Sequence, residues 1–236
     1  MCDSCGCGDP AIVAVEVHES LLAGNNRTAH HNRVHFAARG VAAINLMGSP
    51  GAGKTAVLEA TARLTHGGLR LGALSGDLAT DNDARRLNAV GIRAAAITTG
   101  SACHLDAALV HRALHDFRWH DLDMLFIENV GNLVCPAIYD LGQVANVVVL
   151  SVTEGEDKPL KYPVMFKAAD LVLLTKTDLL PYVPVRVGAI EEALARVMPV
   201  PRWLPVSAQT GVGMDHWLEW LQVRAGAAAP EHALHA

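Results

Sequence analysis

No apolar run in the sequence reaches the roughly 18 to 20 residues that a bilayer-spanning helix needs, so no transmembrane segment is expected. Nor does the N-terminus carry a basic region followed by an apolar stretch, the mark of a secretory leader. Excess positive charge is missing too: 19 Lys and Arg stand against 24 Asp and Glu, a net −5. That leaves no footprint for sequence-independent nucleic-acid binding. Cysteine is scarce and odd in number, five in 236 residues, which argues against a disulfide scaffold and favours a reducing cytoplasm. Internal repeats are absent, as is any arginine-rich insertion that would serve a small-molecule kinase as an acceptor-binding lid. What is there, 51% apolar and 18% charged residues, can bury one sizeable α/β core.

Residues 1–10, rich in Cys, Gly and Asp, have no periodic pattern and read as a flexible tail. Residues 11–40 read as a helical lead-in, with a helix from about Val13 to Arg39 interrupted near Gly24-Asn25-Asn26. Its histidines His18, His30, His31 and His35 are irregularly spaced, and a solvated helix face is the plainer reading of them. From there "VAAINLMG", "LRLGALSGD", "IRAAAITTG", "MLFIENVG", "ANVVVLSVT", "DLVLLTKTD" and "RWLPVSA" are strands, separated by helical stretches. Apolar strands alternating with helices predict a mainly parallel sheet covered on both faces, an α/β domain over residues 41–225. The Ala-rich end, residues 226–236, reads as frayed.

"GSPGAGKT" joins the first strand to a helix and matches the phosphate-binding P-loop. Backbone N–H groups of Gly48, Ser49, Pro50 (through its neighbours), Gly51, Ala52 and Gly53 would surround phosphates, aided by the helix N-terminus. Lys54 would neutralise the terminal phosphates and Thr55 would hold Mg²⁺. Acidic support for that ion is expected from Asp77 and Glu128, each at a strand end, where an ordinary carboxylate is the alternative. Gly131 suits a loop whose N–H approaches the γ-phosphate. "TKTD" sits where GTPases carry Asn-Lys-x-Asp: Asp178 would accept from guanine N1–H and N2–H₂, and Lys176 would lie over the ring. Thr175 stands in place of the usual Asn. In "VSAQTG", Ser207 and Ala208 match a loop that touches guanine O6. These residues favour GTP and GDP over adenine nucleotides. No residue stands out to orient an attacking water, which agrees with slow turnover.

Cys103 adjoins His104 at an expected helix start, in a segment running from about His104 to Asp116, and Cys135 falls seven residues after Glu128. Thiolate and imidazole suit Zn²⁺ and Ni²⁺, and a helix N-terminus favours a thiolate. Buried cysteines acting as small hydrophobes are the alternative reading.

Together the stretches "CDSCGCG", "NLMGSPGAGKT", "TGSACHLDAALV", "FIENVGNLVCPA" and "LSVTEGEDKPLKYP" resemble the HypB family of hydrogenase nickel-incorporation GTPases over almost the whole chain. The resemblance implies a dimerising P-loop GTPase of the SIMIBI type that hydrolyses GTP slowly and helps deliver nickel. It implies a nickel site from Cys2, Cys5 and Cys7, and a second nickel or zinc site from Cys103, His104 and Cys135 at a subunit interface. Thr55, Asp77 and Glu128 would be Mg²⁺ neighbours. The partners implied are a second copy of the chain, a HypA-type zinc-containing accessory protein and the NiFe-hydrogenase large subunit precursor. Three N-terminal thiolates leave one position open in a four-coordinate site, and the Cys2 amine would reach it if Met1 is removed. A urease-accessory-type nickel GTPase, or a nickel buffer independent of nucleotide, is the competing expectation.

Overall fold

The computed structural model describes residues 10–100 and 102–228, with side chains from residue 22 onward. The expected tail site of Cys2, Cys5 and Cys7 therefore lies outside the described residues, as does the chain beyond 228.

All seven expected strands form: β1 (Ala42–Met47), β2 (Leu71–Asp77), β3 (Arg93–Thr98), β4 (Met124–Glu128), β5 (Ala145–Ser151), β6 (Leu171–Thr175) and β7 (Trp203–Pro205). They pair in the order β3-β2-β4-β1-β5-β6-β7, every neighbouring pair parallel. The helices are α1 (Pro10–Arg39), α2 (Lys54–Thr65), α3 (Asn82–Ala89), α4 (Ala107–Asp116), α5 (Lys158–Lys161), α6 (Pro163–Lys167), α7 (Val187–Val197) and α8 (Met214–Ala228).

Alternation along β1 decides which helix covers which face. Ala42, Ile44 and Leu46 pack with Val57 and Leu58 of α2, Leu87 of α3 and Trp217 and Leu221 of α8. Ala43 turns the other way, towards Phe36 of α1 and Val110 and Leu114 of α4. Met47 joins Phe166 of α6 and Ile190 and Leu194 of α7 on that same second face. Both faces are covered, so the central strands are apolar on both sides, as a parallel sheet requires. Trp217 is fully buried and donates its indole N–H to Thr61 Oγ1 at 2.9 Å, tying α8 to α2.

Helix α1 departs from expectation by running unbroken through Gly24-Asn25-Asn26. The cause is tertiary. Asn25 donates to the Asp140 carbonyl at 2.8 Å and accepts from the Ala107 N–H at 2.8 Å. Its amide is used up by partners distant in sequence, so it does not compete for its own backbone and end the helix.

Candidate functional site

β1 lies in the middle of the sheet, and the phosphate loop leaves its carboxyl end, where open parallel sheets bind ligands. The loop's shape depends on two glycines. Gly53 caps α2 with φ 102°, and a Cβ on Gly48 would lie 2.3 Å from the Val149 carbonyl oxygen. Lys54 is buried and donates from Nζ to the carbonyls of Gly48 and Ser49, both at 3.3 Å. Burial pulls its pKa down, and the nearby Glu128 carboxylate opposes that shift.

Glu128, 2% exposed, closes β4 beside the loop. Its Oε1 accepts from Thr55 Oγ1 at 2.7 Å and its Oε2 from Ser75 Oγ at 3.2 Å. Burial raises its pKa, while the Thr55 hydrogen bond and the Lys54 charge resist. Asp77 is held differently. Half-buried at the end of β2, it accepts from the N–H groups of Ala79 and Thr80 at 2.9 and 2.8 Å, which lower its pKa. Ser75 is the register partner of Glu128, so Asp77 stands two residues further out, at the mouth of the site.

Three contacts were not foreseen from sequence. Ser49 of the loop donates to Glu154 Oε2 at 2.5 Å, while Glu154 Oε1 accepts from the Ser151 N–H at 2.8 Å in a capping box after β5. The Ser151-x-x-Glu154 spacing is the signal that would have found it. Gly131 packs so closely on Pro50 that a Cβ would fall 2.8 Å from its Cγ and backbone N. Next to it, Asn132 forms an antiparallel bridge with Gly48.

On the side expected to hold the base, Thr175 donates to the Ala52 carbonyl at 2.6 Å, with the Leu150 carbonyl 3.3 Å away. The threonine thus braces the phosphate loop. Lys176 adopts a left-handed conformation, φ 58°, which swings the chain towards Asp178. Asp178 Oδ1 accepts from Ser207 Oγ at 2.6 Å, and the same hydroxyl receives the Thr210 N–H at 3.1 Å. The Ala208 carbonyl accepts from Arg63 at 3.4 Å. The two segments expected to read the base are therefore joined to one another.

Cys103, His104 and Cys135 come together as expected. Cys103 Sγ donates to Cys135 Sγ at 3.1 Å, His104 Nδ1 is 3.8 Å from Cys103 Sγ, and all three ligand atoms lie within 4.8 Å of one another. The Cys103 hydrogen bond pushes the Cys135 pKa up, and burial lowers that of His104, whose ring stacks on Tyr139 at 3.9 Å. A neutral imidazole beside two soft sulfurs suits a late divalent metal. One expectation needs correction: the helix does not start at His104. Asp106 caps it by accepting from the Leu109 N–H at 2.7 Å, so α4 begins at Ala107 and Cys103 lies in the preceding loop.

Asn132 connects this thiol pair to the phosphate loop. Besides its bridge to Gly48, it donates from Nδ2 to the Cys103 carbonyl at 3.3 Å and accepts at Oδ1 from the Val134 N–H at 2.8 Å, next to Cys135.

A family model described as "CobW/HypB/UreG, nucleotide-binding domain" matches residues 42–204. The hydrogenase maturation factor HypB of Azotobacter chroococcum mcd 1 is 48% identical over 213 residues, spanning 90% of this chain and 70% of that one. The crystal structure of the hydrogenase maturation factor HypB from Archaeoglobus fulgidus superposes with a TM-score of 0.80 at 37% identity, over 88% of this chain and 100% of that one. That of HypB from Helicobacter pylori in complex with nickel gives 0.83 at 35% identity, over 90% and 99%.

Proposed function

The chain belongs to the HypB hydrogenase maturation factors of the CobW/HypB/UreG family, and on that premise we propose that it is a slow GTPase that carries nickel for insertion into a NiFe-hydrogenase large subunit precursor. The observation that carries the reading is the link through Asn132, which touches the phosphate loop at Gly48 and the thiol pair at Cys103. Nickel is the cargo and GTP sets its release.

Burial lowers the Lys54 pKa and raises that of Glu128, so the site disfavours either charge unless it is paired. A triphosphate replaces the Gly48 and Ser49 carbonyls as the partner of Lys54 and holds its positive charge. The residues also fit Mg²⁺: the Thr55 hydroxyl, the buried Glu128 carboxylate against it and Asp77 at the mouth are hard oxygen donors. When bound, that ion supplies charge neutralisation to the phosphates. Asp178 reads the guanine edge, and Thr175 keeps the loop braced beneath it.

A γ-phosphate enters where Gly131 now presses on Pro50, so the segment 129–135 must shift. Because Asn132 spans both sites, the shift moves Cys135 relative to Cys103 and alters nickel affinity. Exposed Val134 and Ile138 flank Cys135, which supports pairing of two copies across this surface in the GTP state. A HypA-type accessory protein and the N-terminal thiols of Cys2, Cys5 and Cys7 are the proposed sources of the metal, and the cytoplasm is the proposed setting.

The test is an anaerobic Ni²⁺ titration of the full-length chain with GDP and with a non-hydrolysable GTP analogue, repeated with Asn132→Ala and with Cys2, Cys5 and Cys7 replaced by Ser. Affinity at the Cys103 site is expected to differ between nucleotides by about fivefold or more, the lower range of allosteric coupling. Asn132→Ala should narrow that difference. Identical affinities with both nucleotides in the wild type, together with a Lys54→Ala chain that still loads hydrogenase, would sink the switch in favour of a simple buffer.

A further inference from the structure

Where α1 crosses α4, four imidazoles collect outside the nucleotide and thiol sites. His31 and His35 stand one turn apart on α1, and His111 and His115 one turn apart on α4. Ring centroids are separated by 4.2 Å for His31–His35, 5.0 Å for His31–His111, 6.4 Å for His35–His111 and 5.0 Å for His111–His115. A cleft of about 190 Å³ opens beside them, lined in part by His35, His111, His115 and His120. We propose that His31, His35 and His111 form a further metal site, selective for a late first-row divalent cation such as Ni²⁺ or Zn²⁺, with His115 available as a fourth ligand.

Two observations support it. First, His31 Nε2 and His35 Nε2 are 3.1 Å apart. With metal–nitrogen bonds of about 2.0–2.1 Å, two ligands of one ion sit about 2.9 Å apart at a right angle and about 3.3 Å apart in a tetrahedron. The pair therefore already has a chelating separation, and histidines at i and i+4 share one helix face.

Second, His111 is oriented as metal-bound histidines are. Asn32 is fully buried, and its Nδ2 donates to the carbonyls of Ala107 at 3.0 Å and Leu141 at 3.2 Å. Those two bonds fix which end of the amide is oxygen, so Oδ1 faces His111 and accepts from its Nδ1–H at 3.0 Å. The tautomer is set: Nε2 carries the free lone pair, and a carbonyl oxygen holds the opposite nitrogen.

Among the described residues only Cys103, His104 and Cys135 already bring three ligand atoms within 4.8 Å of one another, so metal binding here requires the exposed His31 and His35 side chains to turn towards His111. The site is a single point of binding, independent of the nucleotide reading above.

Equilibrium dialysis of the full-length chain against Ni²⁺, and separately against Zn²⁺, tests this. The His31→Ala/His35→Ala chain should bind about one equivalent less than wild type at micromolar free metal. Both substituted residues are exposed, so its melting temperature should be unchanged. A Cys103→Ser/Cys135→Ser chain should retain the histidine-dependent equivalent, and GTP hydrolysis should not respond to the histidine substitutions. Imidazole ¹⁵N resonances of His31, His35 and His111 should shift together as the metal is added. Equal stoichiometry in wild type and histidine variant, or resonances that stay still as metal binds elsewhere, would overturn the proposal.

Discussion

Thr175 donates its hydroxyl to the Ala52 carbonyl at 2.6 Å, so the residue that replaces the usual Asn holds the phosphate loop against β6. Thr175→Val keeps the shape and removes the donor, leaving a buried carbonyl short of its partner at a cost of about 1–3 kcal/mol. GDP affinity measured by calorimetry is expected to fall at least several-fold, with Thr175→Ser close to wild type. Unchanged affinity in Thr175→Val would show that the brace is idle.

Gly131 faces Pro50 with no room for a methyl group, its virtual Cβ lying 2.8 Å from two Pro50 atoms. Gly131→Ala forces the segment off the loop. The expected result is a loss of about 1–3 kcal/mol of stability without nucleotide and a smaller loss with a GTP analogue bound, read from paired thermal melts. Equal losses in both states would mean that the segment does not move on binding.

Trp217 is the largest fully buried side chain and joins α8 to α2 through Thr61. Trp217→Ala is expected to cost about 3–5 kcal/mol in urea unfolding. Trp217→Phe should cost clearly less, because the smaller ring leaves a smaller void. A near-neutral Trp217→Ala would contradict the packing of α8 on the sheet.

Asp123 takes hydrogen bonds from the Arg70 backbone at 2.7 Å and from its guanidinium, and these hold its pKa below the usual carboxylate value. A carboxyl whose folded pKa is depressed adds stability above its unfolded pKa of about 3.9 and loses it as pH falls through the lower folded value. Asp123→Asn should therefore be less stable than wild type at pH 7 by under about 1 kcal/mol, Arg70 being largely exposed and the pair screened by solvent on that side. Below the depressed folded value the two should converge. A constant gap across that range would assign the effect to something other than ionisation.

The strands and the phosphate loop were legible because their signals are local: short Val-, Ile- and Leu-rich runs, and a glycine spacing that only one backbone path satisfies. Helix α1 was misread at Gly24-Asn25-Asn26 because a turn signal is also local, while Asp140 and Ala107, which cancel it, are distant in sequence. Asn132, Glu154 and Ser75 escaped notice for a related reason. Each is an ordinary polar residue until the sheet order sets it beside Gly48, Ser49 or Glu128. The histidines of α1 looked scattered in a linear reading, and the crossing with α4 that groups them is a tertiary fact.

The central position of β1 has a bearing on synthesis. Its pairing partners are β4 and β5, so Ala42 waits for Met124 and Ile44 waits for Ala145. The close approach of Gly48 to Val149 waits longer still. Non-local parallel pairing forms late, and chains emerge from the ribosome N-terminus first. The glycine loop is thus translated early but takes its shape only after β5 has emerged. A nascent chain stalled before Val149 carries the whole motif and has nowhere to put a nucleotide.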